Sequence, residues 1–341
     1  MKKLNLIDKL LYLVNSVFMF IMILSYLSPY VNPKIFWPIS FFGLAYPILL
    51  IILLIFFIYW VLRLKRPLWA NLLVIVLGIN HLSNHIGTKN IEYSSDNISV
   101  LSYNTRMLNK YNWINQKDID LKIFELIKKY NPDIACFQEF DNSKKLDAKY
   151  RYIKDNFLTI SKFPIINTKY LQDKEKNTIG TQVDILMIND TIGFNDTISI
   201  LNVHLASNWF EEEEYEMINK MEIDKKGFSE IISKMKDSYI LRSSQARYLN
   251  NYIKTMEHKK IVCADINDTP LSYTYRLITK NFYDSFKESG KGLGISYTKV
   301  PLVRIDYILY DEDFVSIDYS KDNSRYSDHY PIITKLRVLN N

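Results

Sequence analysis

The sequence predicts an α/β domain that follows an all-helical transmembrane segment, and three observations lead to this prediction. Long uncharged stretches are confined to the first 90 of the 341 residues. Beyond residue 97, short β-branched runs alternate with stretches of helical periodicity, which is typical of α/β domains. Residues 1–90 hold eight of the 43 basic residues and one of the 37 acidic ones, so residues 91–341 sum to −1. The overall basicity therefore gives no indication of nucleic-acid binding.

Three uncharged stretches of the N-terminal region separate its basic residues, namely Lys9 to Lys34, Lys34 to Arg63 and Arg66 to Lys89. Each can hold the roughly 20 apolar residues that span a bilayer. A cleavable signal peptide is the alternative for Leu10 to Leu27, although this stretch has no A-x-A-like site. The apolar part of the third stretch, Leu68 to Leu82, is short, so a re-entrant or interfacial segment is the alternative there. We expect residues 1–88 to form a membrane anchor with about three transmembrane helices.

Positive charge marks the expected orientation of this anchor. Basic residues cluster before the first stretch and between the second and third, whereas Lys34 and Lys89 stand alone in the other two flanks. Basic clusters favour the cytoplasmic side, so three crossings place the C-terminal domain outside the cytoplasm. If the third stretch does not cross, the domain lies on the cytoplasmic side.

Five apolar runs in the C-terminal part predict strands, namely Ile98–Tyr103, Ile134–Phe137, Ile198–Val203, Ile261–Ala264 and Ile305–Leu309. Apolar positions between Ile119 and Tyr130 fall on one helical face, and Pro132 ends that helix. The stretch from His204 to Lys259 is mostly helical, and we interpret its acid run, Glu211 to Glu214, as a solvated helix face.

Two cysteines, Cys136 and Cys263, lie inside apolar runs, where a free thiol behaves as a small hydrophobic group. The sequence therefore predicts neither a disulfide framework nor a catalytic cysteine.

Polar residues stand just after four of the predicted strands: Asn104, Glu139, His204 and Asp265. Taken singly, each is more often a turn or cap residue than a catalyst. Four of them at strand ends indicate a functional rim of a sheet. Asn267 follows Asp265 closely, and Asp328 lies beside His329 in a chain with five histidines.

Seven short motifs resemble, in order, those of the endonuclease/exonuclease/phosphatase superfamily: Tyr103-Asn104, Phe137-Gln138-Glu139, Ser161-Lys162-Phe163-Pro164, Asn202-Val203-His204-Leu205, Asp265-Ile266-Asn267, Arg304-Ile305-Asp306-Tyr307 and Ser327-Asp328-His329. The resemblance implies a four-layered α/β sandwich over residues 97–341, with two packed mixed sheets flanked by helices. The layout resembles that of bacterial membrane-anchored members, which implies an integral protein of the bacterial inner membrane.

The resemblance also implies the chemistry. The expected activity is hydrolysis of a phosphoester with Mg²⁺ as cofactor, or Mn²⁺ in its place. Metal ligands would be Asn104, Glu139 and Asp328. Catalytic residues would be His204, Asp265, Asn267, Asp306 and His329. Substrate would contact Asn104, Asn267 and His204.

Within this reading, Asp265 would orient or deprotonate water, His329 would contact the phosphate or act as base while held by Asp306, and His204 would serve the leaving group. Arg106 occupies a position where the abasic-site enzymes carry an acid, which places their particular substrate and metal arrangement in doubt.

The substrate stays open among nucleic acid, phospholipid and a small phosphate ester, and no protein partner is predicted. We expect a phosphodiesterase, nuclease-like or phospholipid-cleaving. The alternatives are a phosphomonoesterase and a non-catalytic membrane-bound binding protein. The last alternative predicts missing motif residues, and the principal ones are all present.

Overall fold

The computed structural model describes residues 4–88, 97–189, 194–220 and 224–339. Its N-terminal region is helical and consists of α1 (Leu6–Leu27), α2 (Pro33–Phe36), α3 (Ile39–Arg63), α4 (Pro67–Leu77) and α5 (Ile79–Leu82). Residues 89–96, between the predicted anchor and the predicted α/β domain, lie outside the described residues.

Two of these helices, α1 and α3, are long and apolar enough to cross a membrane, with 22 and 25 residues. Many of their large apolar side chains are exposed, for example Leu13 at 64% and Ile55 at 62%. Exposed apolar surface of this extent is unfavourable in water. The two helices could be membrane spans, or in the case of α1 a signal sequence.

The third apolar stretch forms a shorter helix. α4 has 11 residues, and Gly78 separates it from the single turn of α5. A Cβ added to Gly78 would lie 2.2 Å from the Tyr26 hydroxyl, so glycine allows the chain to pass against α1 here. The third crossing therefore stays a prediction, with the re-entrant segment as its alternative.

The C-terminal region alternates strands and helices. Its strands are β1 (Ile86–Thr88), β2 (Ile98–Asn104), β3 (Ile134–Gln138), β4 (Tyr150–Lys154), β5 (Phe157–Ser161), β6 (Ile165–Gln172), β7 (Thr178–Asn189), β8 (Phe194–His204), β9 (Lys259–Asp265), β10 (Tyr283–Asp284), β11 (Lys291–Leu293), β12 (Asp306–Tyr310), β13 (Phe314–Lys321) and β14 (Ile332–Val338). Its helices are α6 (Ile119–Tyr130), α7 (Glu212–Lys220), α8 (Lys225–Ile253), α9 (Tyr273–Ile278) and α10 (Ser285–Ser289). All five strands and the helix that the sequence analysis placed are found.

Two six-stranded mixed sheets form the centre of this region. Sheet 1 has the strand order β10-β12-β9-β8-β7-β6, and sheet 2 has the order β13-β14-β2-β3-β5-β4. Parallel pairs, β8 with β9 and β2 with β3, lie in the middle of each sheet. A separate two-stranded pair joins β1 to β11.

The core explains why the sheets pack face to face. One buried cluster, which includes Val100, Cys136, Ile200 and Cys263, fills the space between them. A second cluster joins the outer face of sheet 1 to α8 and α9, and a third joins the outer face of sheet 2 to α6. The four layers of the predicted α/β sandwich are thus confirmed.

One buried amide joins the two sheets. Asn202 on β8 is fully buried, and its Nδ2 donates to the carbonyl oxygens of Phe137 and Leu158 in sheet 2, each at 3.1 Å. Its Oδ1 accepts from Gln138 Nε2 at 2.7 Å. Removing this side chain would leave several buried polar groups without partners.

The variant Asn202→Ala should therefore lose roughly 2–3 kcal/mol of stability, which lowers the melting temperature by about 5–10 °C for a domain of this size. Thermal unfolding of the full-length protein in detergent measures the shift. Asn195→Ala, at an exposed position of the same strand, is the matched control and should change little. Equal melting temperatures for the two variants would contradict the bridging role.

Candidate active site

The four polar strand-end residues lie close together where the central strands of the two packed sheets end. In sheet 1, His204 pairs in register with Asp265 on the parallel neighbour, and Asp265 pairs with Asp306 on the other side. In sheet 2, Asn104 pairs with Gln138, directly before Glu139. Adjacent strands place these side chains at one rim because their register aligns the strand ends.

Asn104 connects the two sheets at this rim. Its Nδ2 donates to Glu139 Oε1 at 3.0 Å and to Asp265 Oδ2 at 2.9 Å. Its Oδ1 accepts from the backbone N–H of Arg106. The amide nitrogen of Asn104, rather than its oxygen, therefore faces the two carboxylates, and its predicted role as a metal ligand stays a prediction.

His329 and Asp306 form a close and buried charged contact. The imidazole Nδ1 lies 2.9 Å and 3.1 Å from the two Asp306 carboxylate oxygens, and both residues are buried. Burial alone would lower the pKa of His329, but the carboxylates of Asp306 and Asp265 outweigh it and raise this pKa from 6.5 to about 10. His329 is therefore an imidazolium at neutral pH.

Asp265 faces this imidazolium. Its Oδ2 lies 3.7 Å from His329 Nε2, and its Oδ1 accepts from the backbone N–H of Asn267 at 2.9 Å. Burial raises the pKa of Asp265 to about 6, and the positive charge of His329 opposes that rise. Asp265 is thus a carboxylate poised to exchange a proton near neutral pH.

His204 closes the group from the side of β8. Its Nε2 lies 3.5 Å from Glu139 Oε1 and 3.7 Å from Asp265 Oδ2. This nitrogen is buried and has no hydrogen-bond partner among the described residues. A buried ring nitrogen without a partner is available for a ligand.

Asp328 lies apart from this group and faces a different cation. Its Oδ2 is 3.4 Å from Arg106 Nε, and Arg106 also contacts the Glu212 carboxylate. The Arg106 guanidinium stacks on the Trp113 ring at 4.5 Å. Asp328 and His329 are neighbours in sequence, but their side chains have different partners.

Two sets of side chains at this rim offer ligand atoms that could hold a metal ion. The ligating atoms of Asp265, Asp306 and His329 lie within 4.8 Å of one another. His329 Nδ1 is already engaged by both carboxylate oxygens of Asp306, however, so these three groups suit a hydrogen-bonded network better. Glu139 offers a partly exposed carboxylate beside Asn104, and hard oxygen donors of this kind suit Mg²⁺.

Several residues of the site were not predicted from the sequence. A cavity of about 200 Å³ contains Glu139, Asn267, Asp328 and His329, and its remaining lining includes Arg106, Trp113, Trp209, Phe210, Glu212, Tyr215 and Tyr297. Tyr297 forms an isolated β-bridge with His329, with ring centroids 4.8 Å apart. Glu212 belongs to the acid run that we interpreted as a solvated face, yet it reaches Arg106 and Lys299.

Left-handed backbone conformations collect at this cavity. Arg106, Glu139, Trp209 and Asn267 have φ between 45° and 52° although none is glycine. Such conformations carry a cost that the surrounding structure must offset, and they cluster at functional sites. This clustering is a signal that the sequence alone does not contain.

Comparison with known families gives two matches. Residues 101–329, well over half of the chain, match the model of the endonuclease/exonuclease/phosphatase family. Residues 8–85 match a domain of unknown function. No curated protein matches the chain in sequence.

Solved structures share the fold. An endonuclease/exonuclease/phosphatase from Bacteroides vulgatus has a TM-score of 0.50 at 16% identity, and the match covers 71% of this chain and 99% of that one. A family protein from Bacteroides thetaiotaomicron has a TM-score of 0.51 at 16% identity, covering 73% of this chain and 100% of that one. At this identity the likeness concerns the fold alone.

The Asp306–His329 contact leads to a testable prediction about the pKa of His329. Asp306→Asn removes a carboxylate next to the imidazole, so the pKa of His329 should fall by about 1–3 pH units. NMR titration of the imidazole signals measures it. Asp313→Asn, which removes a carboxylate beyond the other end of β12, is the matched control and should leave that pKa in place. Equal values in both variants would exclude the assigned pairing.

Proposed function

This chain belongs to the endonuclease/exonuclease/phosphatase family, whose members are phosphoester hydrolases, and we propose that it is itself a divalent-metal-dependent phosphodiesterase. The observation that carries the proposal is the Asp306–His329 pair facing Asp265, with Glu139 beside them at the same rim. This arrangement supplies a positive group for the phosphate and a carboxylate for the water.

Mg²⁺ is the proposed cofactor, with Mn²⁺ as the alternative. Glu139 would hold the ion, with Asp328 and Asn104 as the further predicted ligands. Bound there, the ion would neutralise charge on the phosphate oxygens, which is what an attack on an anion requires.

Side chains of this chain would stabilise the phosphate and transfer the protons. His329, as an imidazolium fixed by Asp306, would contact a phosphate oxygen and stabilise the negative charge that develops there. Asp265, with its raised pKa, would accept a proton from the attacking water. The imidazolium state of His329 argues against its use as the base, which the sequence left open.

Two more residues would complete the site. His204, whose Nε2 faces the same group of carboxylates, would donate a proton to the leaving oxygen. Asn267 shares the cavity with His329, and its side chain also donates to the Leu205 carbonyl at 3.0 Å. That bond would fix the Asn267 amide as a phosphate contact.

We further propose that residues 1–88 anchor the protein in the bacterial inner membrane, with the 97–341 domain outside the cytoplasm. The basic residues Arg63 and Lys65 flank α3 at the end where Asp8 lies, 3.3 and 3.1 Å from it. Tyr26, at the opposite end of α1, stacks on His81 of α5 at 5.2 Å. α4 and α5 together therefore return the chain to the end that is remote from the basic cluster, which supports the extracytoplasmic placement.

Loss of either central residue should remove activity. His329→Ala and Asp265→Ala are each expected to lower the Mg²⁺-dependent hydrolysis of bis(p-nitrophenyl) phosphate at least about a hundredfold, the size typical of general acid–base help. Rates of the full-length protein measure this. EDTA should abolish the wild-type rate, and added Mg²⁺ should restore it.

His258→Ala provides the matched control, because this histidine is exposed and lies on the turn before β9. It should retain the wild-type rate. Full activity of His329→Ala and Asp265→Ala would refute the assignment, and a metal-independent rate would refute the cofactor.

The side of the membrane can be tested separately. Alkaline phosphatase fused after Asn341 should be active, since it matures outside the cytoplasm, whereas a fusion after Arg66 should be inactive. If the fusions after Arg66 and after Asn341 are both inactive, the domain lies in the cytoplasm and α4 stays on one side of the membrane.

A further inference from the structure

The anchor helices define where a bilayer would lie. α3 carries Arg63 at one end, and Leu44 lies 19 residues before it, a rise of about 28 Å at 1.5 Å per residue. That distance is close to the roughly 30 Å of a hydrocarbon core. With Arg63 at one boundary, Leu44 lies at the opposite boundary.

The surface of this segment agrees with that frame. Between the two ends, α3 exposes only apolar large side chains, at Ile48, Ile51, Leu54, Ile55, Ile58, Val61 and Leu62. Near the Leu44 end, Tyr26 packs against the buried Tyr46 inside the helical region, with ring centroids 6.2 Å apart.

The catalytic domain docks directly at the Leu44 end of α3. A Cβ added to Gly43 would lie 2.3 Å from the Leu271 carbonyl oxygen, so the two backbones are in close contact. The ring of Phe41 meets the ring of Tyr239 on α8 at 5.5 Å, edge to face. The domain therefore packs directly against the anchor helices.

The wall of the candidate site is part of this contact. Leu44 packs against the buried cluster of Tyr297, Val303 and Ile305. Tyr297 contacts the His329 ring, and Ile305 directly precedes Asp306. One residue of α3 is thus separated from the catalytic pair by a single layer of side chains.

A second set of contacts joins the end of the N-terminal helical region to the domain. Arg304 is buried, pairs with Asp284 at 2.8 Å and donates from Nη2 to the carbonyl of Asn84, which follows α5. The next residues of the chain, Ile86–Thr88, form β1 and pair with β11. The chain leaving the anchor is therefore bonded to the segment that leads into Asp306.

The rim of the cavity is aromatic on this side. Phe210 lines the cavity and also packs in the cluster that contains Phe41 and Leu44. Its neighbour Trp209 is 52% exposed. An exposed indole suits the head-group region of a bilayer, where one part of the ring is apolar and its N–H can be solvated.

We propose that the anchor holds the active site at the bilayer surface and that the substrate is a lipid-borne phosphoester. This inference rests on the proposed hydrolase function. Water would add to phosphorus, the P–O bond to the leaving alcohol would break, and the proton of the water would pass by way of the site to the leaving oxygen. The near-zero net charge of residues 91–341 supplies no general attraction for a nucleic acid.

The placement is measurable without activity. Trp209→Cys and Leu121→Cys, each labelled with a fluorophore in the full-length protein, compare the cavity rim with the exposed face of α6 on the far side of the sandwich. Cys136 and Cys263 are buried and should stay unlabelled. In vesicles that carry a head-group-labelled acceptor lipid, energy transfer should be strong from position 209 and weak from 121. Equal transfer, or stronger transfer from 121, would overturn the placement.

The substrate class is tested with wild type and His329→Ala reconstituted in vesicles of phosphatidylethanolamine, phosphatidylglycerol and sphingomyelin. The assay follows release of lipid phosphorus into water or formation of diacylglycerol or ceramide. Plasmid DNA and bis(p-nitrophenyl) phosphate are the parallel substrates. We expect lipid turnover at least about tenfold above that of DNA phosphodiesters, and its loss in His329→Ala.

The outcomes separate the two proposals. Hydrolysis of the soluble diester that depends on His329, without lipid turnover or with DNA preferred, would overturn the lipid inference and leave the hydrolase function standing. Failure to hydrolyse any of the three substrates with Mg²⁺ or Mn²⁺ would overturn both.

Discussion

The geometry of the site depends on buried amides that tie sheet 1 to sheet 2, that of Asn202 in the interior and that of Asn104 at the rim. The Asn202 partner Gln138 directly precedes Glu139, and Asn202 itself lies two residues before His204. The hydrogen bond of 2.7 Å between Asn202 and Gln138 therefore sets the separation of Glu139 from His204. Glu139 Oε1 lies 3.5 Å from His204 Nε2. Two sheets held only by apolar packing could slide, because dispersion and hydrophobic contacts are not directional. A buried polar pair fixes their register, since any slip would leave it unsatisfied.

Between the sheets held in this register, the site places several charged side chains in a buried position. Asp265 and Asp306 are both buried and face the same imidazolium, so His329 compensates two carboxylates that would otherwise repel each other. Removing one member of such a group leaves a buried charge without its partner. The free-energy cost of that unpaired charge exceeds the stabilisation that the intact group provides. The strained backbone at Glu139 and Asn267 indicates that the fold also tolerates local cost to aim these side chains.

Much of the fold could be predicted from the sequence because the relevant signals are local. The helix from Ile119 to Tyr130 follows from the spacing of its apolar residues, and the buried strands follow from short β-branched runs. The strand-end positions of Asn104 and His204 follow in the same way, and the ordered motifs add the family.

What the sequence could not indicate is which distant segments meet. Arg106 reaches Glu212, and Tyr297 covers His329, through contacts that no local pattern encodes. An acid run has the same composition whether it is solvated or paired, so the role of Glu212 depends on the position of α7. The sequence indicated that the third apolar stretch is short, but not that α4 ends where Gly78 passes against Tyr26.

The close approach of Gly43 to Leu271 has a consequence for how the protein is made. The helices that contain Tyr26 and Gly43 leave the ribosome long before Leu271 and Tyr239 are synthesised, so these helices precede the segments that pack against them. The later segments can then fold against the N-terminal helices, which would act as an intramolecular template for the end of the sandwich where the candidate site lies. A sandwich produced without that template would expose the face around Leu271 and Tyr239 during biosynthesis. Self-association through that face, rather than any loss of catalytic groups, would then limit how much protein matures.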